Sequence, residues 1–247
     1  MGARMDAIEL SLFTSRMEAV CEEMGAVLRR AALSPNIRDR LDFSCAVFDA
    51  DGALCAQAAH IPVHLGSMAY AMGDIVRARQ WHEGDVLILN DPFLGGTHLP
   101  DVTVVSPVFA GERRVGFVAN RAHHADIGCE SPGSMPVSRR LEEEGLVIAP
   151  TLVVDAGTPV ADTFENIIGA TRSPHQSRGD FAAQLSANRV GVQRLGELIA
   201  RMGAESYAGA LEALNDYARR LAADTLAAIP DGDYSFCDWL DDDGAGQ

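Results

Sequence analysis

The sequence predicts an α+β (mixed α/β) fold, on three observations. Apolar residues recur at three-four spacing through residues 8–32, the rhythm of an amphipathic helix. Two β-rich runs, residues 102–109 and 115–119, flank a short polar turn holding Gly111, which is a hairpin signature. Beyond residue 162 the composition becomes rich in Ala, Leu and Arg and reads as helix. The expected organisation is a hairpin-rich mixed region over 1–160, a helical region over 161–228, and the start of a strand-rich region, cut short, over 229–247.

Taken in order, the first helix carries Phe13, Met17, Val20, Met24 and Leu28 on one face and is expected to stop at Pro35. Residues 43–48 and 53–57 read as strands joined by the turn Asp49-Ala50-Asp51-Gly52. That turn begins like a calcium loop, but no acidic residue closes it at the required distance. His60 and His64 flank the start of a helix expected to reach about Arg79, where histidines commonly cap or pack. Residues 85–90 form a short buried strand whose end delivers a polar cluster. After the hairpin, residues 131–136 are a Ser-, Pro- and Gly-rich loop. Glu142, Glu143 and Glu144 read as a solvated face, with one of them able to reach a metal or act as a base. Residues 145–150 and 151–154 are strand-like, a long helix is expected to open at Arg178, and another covers about 204–228. Residues 229–240 start a strand with no partner downstream, so the pattern is that of a truncated larger fold.

The chemistry gathers around the hairpin. His98 and Asp101 stand at its entrance and His123 at its exit, and a hairpin returns its exit to its entrance. Two imidazoles and a carboxylate at one point outline a site for a first-row divalent metal, zinc, manganese or iron, with positions left open. Gly95 and Gly96 permit close backbone approach beside it. The plainer alternative makes Asp101 a turn residue and leaves His123 and His124 as half-buried strand histidines.

Composition narrows the classes. A net charge of -15 argues against nucleic-acid binding. All 20 basic residues are arginine, so the chain offers neither a Schiff-base amine nor a P-loop lysine. The five cysteines are scattered, with no Cys-x-x-Cys pair, and read as reduced thiols; Cys129 alone lies near the polar cluster. No apolar run reaches bilayer length, the N-terminus lacks a signal-peptide core, and Asp6 occupies the Ser/Thr place of a myristoylation motif. A cytoplasmic protein without membrane association is expected.

Several blocks in order carry a resemblance: residues 40–46, 57–68, 90–101, 122–128, 144–148, and 178–184 with Asn188. With them the chain resembles the N-terminal part of the hydantoinase B/5-oxoprolinase family, which includes the N-methylhydantoinase B subunit and the α subunits of acetone and acetophenone carboxylases. By that resemblance His98, Asp101 and His123 match the carboxylase metal ligands in type and spacing. It also implies an A-type partner subunit that binds ATP. The expected function is therefore the metal-binding B-type subunit, in its N-terminal portion, of an ATP-dependent cyclic-amide hydrolase acting on hydantoins or 5-oxoproline. Asp126, His124 and Asp91 are candidate catalytic residues that orient an imidazole, and Asp126 is also a candidate general base. Three rivals remain: an ATP-dependent ketone carboxylase α-type subunit using the same metal, a non-catalytic assembly fragment, and a facial-triad iron oxygenase, from which the family blocks point away.

Overall fold

A reciprocal cap sets where the first helix begins. Glu9 N donates to Asp6 Oδ1 at 2.8 Å and Asp6 N donates back to Glu9 Oε2 at 3.0 Å, satisfying two free N–H groups of the first turn. From there the computed structural model, which describes residues 5–64, 66–131, 133 and 136–239, runs through α1 (Ala7–Ala31), α2 (Pro35–Arg38), β1 (Phe43–Asp49), β2 (Leu54–Ala59) and α3 (Ser67–Arg77). Next come β3 (Val86–Leu89), β4 (Asp101–Ala110), β5 (Arg113–His123), β6 (Thr151–Asp155) and β7 (Thr158–Pro159), then α4 (Ala161–Gly169), α5 (Pro174–Met202) and α6 (Ala204–Ala227). The expected mixed α/β class holds. All seven strands join one sheet in the order β2-β1-β5-β4-β3-β6-β7, and every neighbouring pair is antiparallel.

Strand alternation sorts the side chains into two cores. Phe43, Cys45 and Val47 of β1, with Val118 and Ala122 of β5, pack against Met17, Met24 and Leu28 of α1 and Ala183 and Ala187 of α5. On the same face, Ile88, Val102 and Val104 meet Ile167 and Ile168 of α4 and Phe181 of α5. The opposite face carries Ala46, Phe48, Val105, Phe117 and Ala119, covered by Met68, Met72, Ile75 and Val76 of α3 and by Trp81. The order of layers is therefore α1/α4/α5, sheet, α3. Covered on both sides, β4 and β5 read as nearly continuous apolar runs, as strands at a sheet centre do.

Polar groups also bind α5 to the sheet. Asn120 of β5 donates to Gln184 O at 2.9 Å and to Asn188 Oδ1 at 2.8 Å. Gln184 Nε2 donates to Val102 O and Asn120 Oδ1, and Asn188 Nδ2 to Val104 O and Ser106 Oγ. All three amides are buried, where each unmade bond would be costly. They lock the helix to one position along the two central strands.

Four elements depart from expectation. Pro35 sits at the start of the one-turn α2 after α1 has already closed at Ala31, a place where its missing N–H costs nothing. The long helix opens at Pro174, a turn before Arg178, for the same reason. Residues 145–150 lie outside the ladder, their hydrogen bonds taken by a loop and a side chain: Leu146 N donates to Ile127 O, Ile148 N to Asn90 Oδ1, and Asn90 Nδ2 to Leu146 O. Residues 229–239 form no strand, and Phe236 and Trp239 are exposed; the remainder of the region expected over 229–247 lies outside the described residues. No helix of the described residues is long and apolar enough to cross a membrane.

Candidate metal centre

Asp101 opens β4 and His123 closes β5, and the two are directly paired across the ladder. Paired residues of antiparallel strands share a face, here the α3 face. The hairpin thus brings His123 Nδ1 to 3.2 Å from Asp101 Oδ1. A turn just ahead of β4, closed by Asp101 N donating to His98 O at 3.0 Å, folds the third residue in. His98 Nε2 lies 3.2 Å from Asp101 Oδ2, and the two imidazole centroids are 5.1 Å apart. One ligand atom from each of His98, Asp101 and His123 lies within 4.8 Å of the others. Ligands about 2.1 Å from a tetrahedral ion stand about 3.4 Å apart, so the 3.2 Å separations to the carboxylate suit a shared cation.

His64, which the sequence places beside a helix start with capping or packing favoured over a site role, joins this cluster. A short 3-10 turn, Pro62–His64, carries it beneath the hairpin, where it is fully buried. Its Nδ1 meets Ser44 Oγ at 3.1 Å, and its Nε2 points at Asp101 Oδ2 from 3.6 Å, beyond hydrogen-bond distance and without another partner. A buried ring nitrogen left unsatisfied beside a carboxylate fits a site built to receive a cation. Thr97 Oγ donates to Asp101 Oδ2 at 2.9 Å and fixes the carboxylate's rotation.

The electrostatics agree with this donor set. Burial alone would raise the pKa of Asp101, but the surrounding imidazoles of His123, His64 and His98 outweigh it and hold the carboxyl well below its ordinary range. His98 is raised by its bond to Asp101, against the opposing effect of burial, with the charges of Glu144 and Asp42 adding to the rise. Its side chain is 38% exposed, whereas those of Asp101 and His64 are 2% and 0% exposed. His98 is therefore the member of the trio with the most exposed side chain. Two nitrogen donors and one oxygen suit zinc, manganese or iron.

The remaining candidates lie elsewhere. His124 follows His123 by one residue, so its ring leaves the opposite face, stacks on Phe181 at 4.2 Å and meets Gln184 Oε1 at 2.9 Å. Asp126 accepts Gly128 N and Ser173 N, one on each oxygen, closing its own turn and the start of α5. Asp91 accepts Phe93 N and shapes the loop ahead of His98. Among the described residues, the hydrogen bonds of these three run to Gln184 and to backbone N–H groups and not to the imidazoles of His64, His98 or His123. His60 packs on Phe43 at 4.5 Å, on the α1 side. Buried Cys129 accepts Ser131 N. Glu144 accepts the Ser138 hydroxyl. A second cluster, His82, Asp85 and Asp155, has the geometry of a ligand set. Asp85 there is already occupied by His82 N and Ala156 N, which makes it a turn brace.

Arg121 was also missed. The same alternation that puts His123 on the α3 face puts Arg121 there, two residues earlier, so the period-two pattern contained the signal.

Comparison with known proteins adds a family. The family model described as hydantoinase B/oxoprolinase matches residues 6–246. The 5-oxoprolinase 1 of Arabidopsis thaliana is 42% identical over 217 residues, covering 80% of this chain and 17% of that protein. The crystal structure of the ATP-dependent caprolactamase from Pseudomonas jessenii superposes with a TM-score of 0.83 at 30% identity, covering 92% of this chain and 40% of that one. A nucleotide-free acetone carboxylase structure shares the fold, with a TM-score of 0.77 at 22% identity over 85% of this chain and 28% of its own. The chain thus spans less than half the length of each of these proteins.

Proposed function

The chain belongs to the hydantoinase B/oxoprolinase family, and from that premise we propose that it is the metal-holding part of an ATP-dependent enzyme that opens cyclic amides such as 5-oxoproline, hydantoins or related lactams. The observation that carries the reading is the convergence of His98, Asp101 and His123 on one point beside an unpartnered buried nitrogen of His64. The names of two relatives support the substrate class, since 5-oxoproline and caprolactam are both cyclic amides.

An unactivated lactam resists water because its C–N bond is resonance-stabilised. Phosphorylation of the amide oxygen would remove that resistance, and the proposal assigns ATP binding and this transfer to an A-type partner subunit. His98, Asp101 and His123 would hold a divalent metal, which would supply Lewis acidity toward the phosphoryl-activated amide and lower the pKa of water toward neutrality. Thr97 and Ser44 orient the carboxylate and the His64 ring around that site. The half-exposed edge of His98 leaves one side open to substrate, while β4 and β5 close the other.

The test is product analysis with the complex that contains this chain, its A-type partner, ATP and 5-oxoproline, hydantoin or caprolactam. ATP-dependent release of the ring-opened product, abolished by His98→Ala, is the expected result. Carboxylate formation from acetone and bicarbonate, with no ring opening, would replace the hydrolase reading by the carboxylase one. Unchanged partner binding together with no turnover of either substrate class would leave an assembly role.

A further inference from the structure

We propose that Arg121 is a positioning residue for the metal centre: its guanidinium joins the segments that carry His64, His98 and Asp101 to the strand that carries His123. The proposal rests on the metal reading above and adds to it a residue that the ligand set does not contain.

The geometry is specific. Arg121 is fully buried at 0% exposure, two residues before His123 on the same face of β5. Its Nε donates to Thr103 Oγ at 2.7 Å, and Thr103 follows Asp101 by two residues on β4. Its Nη1 donates to Ser67 Oγ at 2.9 Å; the same hydroxyl donates to His64 O at 3.3 Å and so anchors the end of the His64 turn. Its Nη2 donates to Gly95 O at 2.9 Å, three residues ahead of His98. Gly95 has φ +113°, and a Cβ there would press on Ala71 and Ile75 of α3 at 3.1 Å, so the loop is seated against that helix at the point Arg121 grips.

A flat guanidinium offers donors in three directions at once, which an ammonium group does not. Among the described residues no carboxylate lies within ion-pair distance of Arg121, and its bonds run to neutral oxygens. A cation buried in that way is a poor source of stability alone. It is well suited to fixing separate segments at set distances, and displacement by about 1 Å is enough to spoil a metal site.

The experiment compares metal affinity, by chelator competition with Zn²⁺ or Mn²⁺, and the visible spectrum of the Co²⁺ form, in the full chain and four variants. Thr103→Val and Ser67→Ala each remove one bond, Arg121→Lys keeps charge without the fork, and Arg121→Met removes both. The expected result is a loss of about 10–100-fold in affinity for the Arg121 variants. Smaller losses are expected for Thr103→Val and Ser67→Ala, with shifted Co²⁺ bands and an unchanged circular-dichroism spectrum in the metal-free state. Should the Arg121 variants fail to fold, the two single-bond variants decide, and affinity loss in either supports the proposal. Unchanged affinity and Co²⁺ bands in folded Arg121 variants, or in both single-bond variants where the Arg121 variants do not fold, overturn it. A wild-type chain that binds no metal overturns the metal reading itself, a separate failure.

Discussion

Asp101 and His123 are direct partners in the β4–β5 ladder, and Oδ1 of one meets Nδ1 of the other at 3.2 Å. Residues 22 positions apart reach each other because the hairpin register sets them opposite. That register is held from behind by the amide network on α5 and from above by the glycine loop that presents His98. Each support predicts a measurable effect.

Gly96 admits no side chain. A Cβ there would lie 2.1 Å from Asn90 O and 2.8 Å from Asp91 O, both backbone atoms. Gly96→Ala should cost about 1–3 kcal/mol of stability and displace the loop that bears His98. Urea unfolding and metal titration check the two effects, and a variant with wild-type values in both would contradict the close approach. Gly209→Ala on α6, where a Cβ meets nothing within 4 Å, should instead stabilise by about 0.5–1 kcal/mol.

Asn120→Leu should be destabilising although the new side chain is apolar and similar in size. It removes donors to Gln184 O and Asn188 Oδ1 and the acceptor for Gln184 Nε2. A buried polar group left without its partner costs about 1–3 kcal/mol. A lower urea midpoint at unchanged slope is the expected readout. A double change with Gln184→Leu should cost less than the sum of the single changes, because each removes the other's stranded group.

Stability of the metal-free chain should fall on mild acidification, in part through His124. Burial pushes the pKa of this imidazole below its ordinary value, with the Gln184 bond and Asp180 opposing. Above about pH 6.5 the ring is neutral in both folded and unfolded chains and adds no pH dependence. As pH falls through 6.5, the unfolded chain takes up the proton before the folded one does, and stability drops until the folded-state value is reached. His98 works in the opposite sense. Its raised pKa gives a contribution that is full below about 6.5 and lost as pH rises through the folded-state value. Melting temperatures at pH 7.5 and 5.5 should therefore differ less in His124→Asn than in the wild type. Equal differences in the two proteins would contradict a buried neutral His124.

The parts of this fold legible in the sequence are those written in local pattern. The three-four rhythm gave α1, and alternating β-rich runs around Gly111 gave the hairpin and with it the meeting of His98, Asp101 and His123. The rest lies where a long-range partner decides. Asp126 bonds Ser173, 47 positions away, a brace on the start of the helix that local sequence does not show. Residues 145–150 have the composition of a strand, but Asn90 and the loop at Ile127 take their hydrogen bonds. His124 follows His123 by one residue, so alternation along the strand sends its ring to the opposite face, onto Phe181. His64 approaches from a separate turn, and only folding brings it to Asp101.

The most direct measurement is the metal content and affinity of the purified chain beside its Asp101→Asn variant. This substitution keeps the shape of the side chain and removes the charge that His98, His123 and His64 surround. The account predicts one divalent ion per wild-type chain and a loss of roughly 100-fold or more in affinity for the variant, beyond what an indirect contact gives. A wild-type chain without stoichiometric metal, or a variant that binds it equally well, would contradict the account.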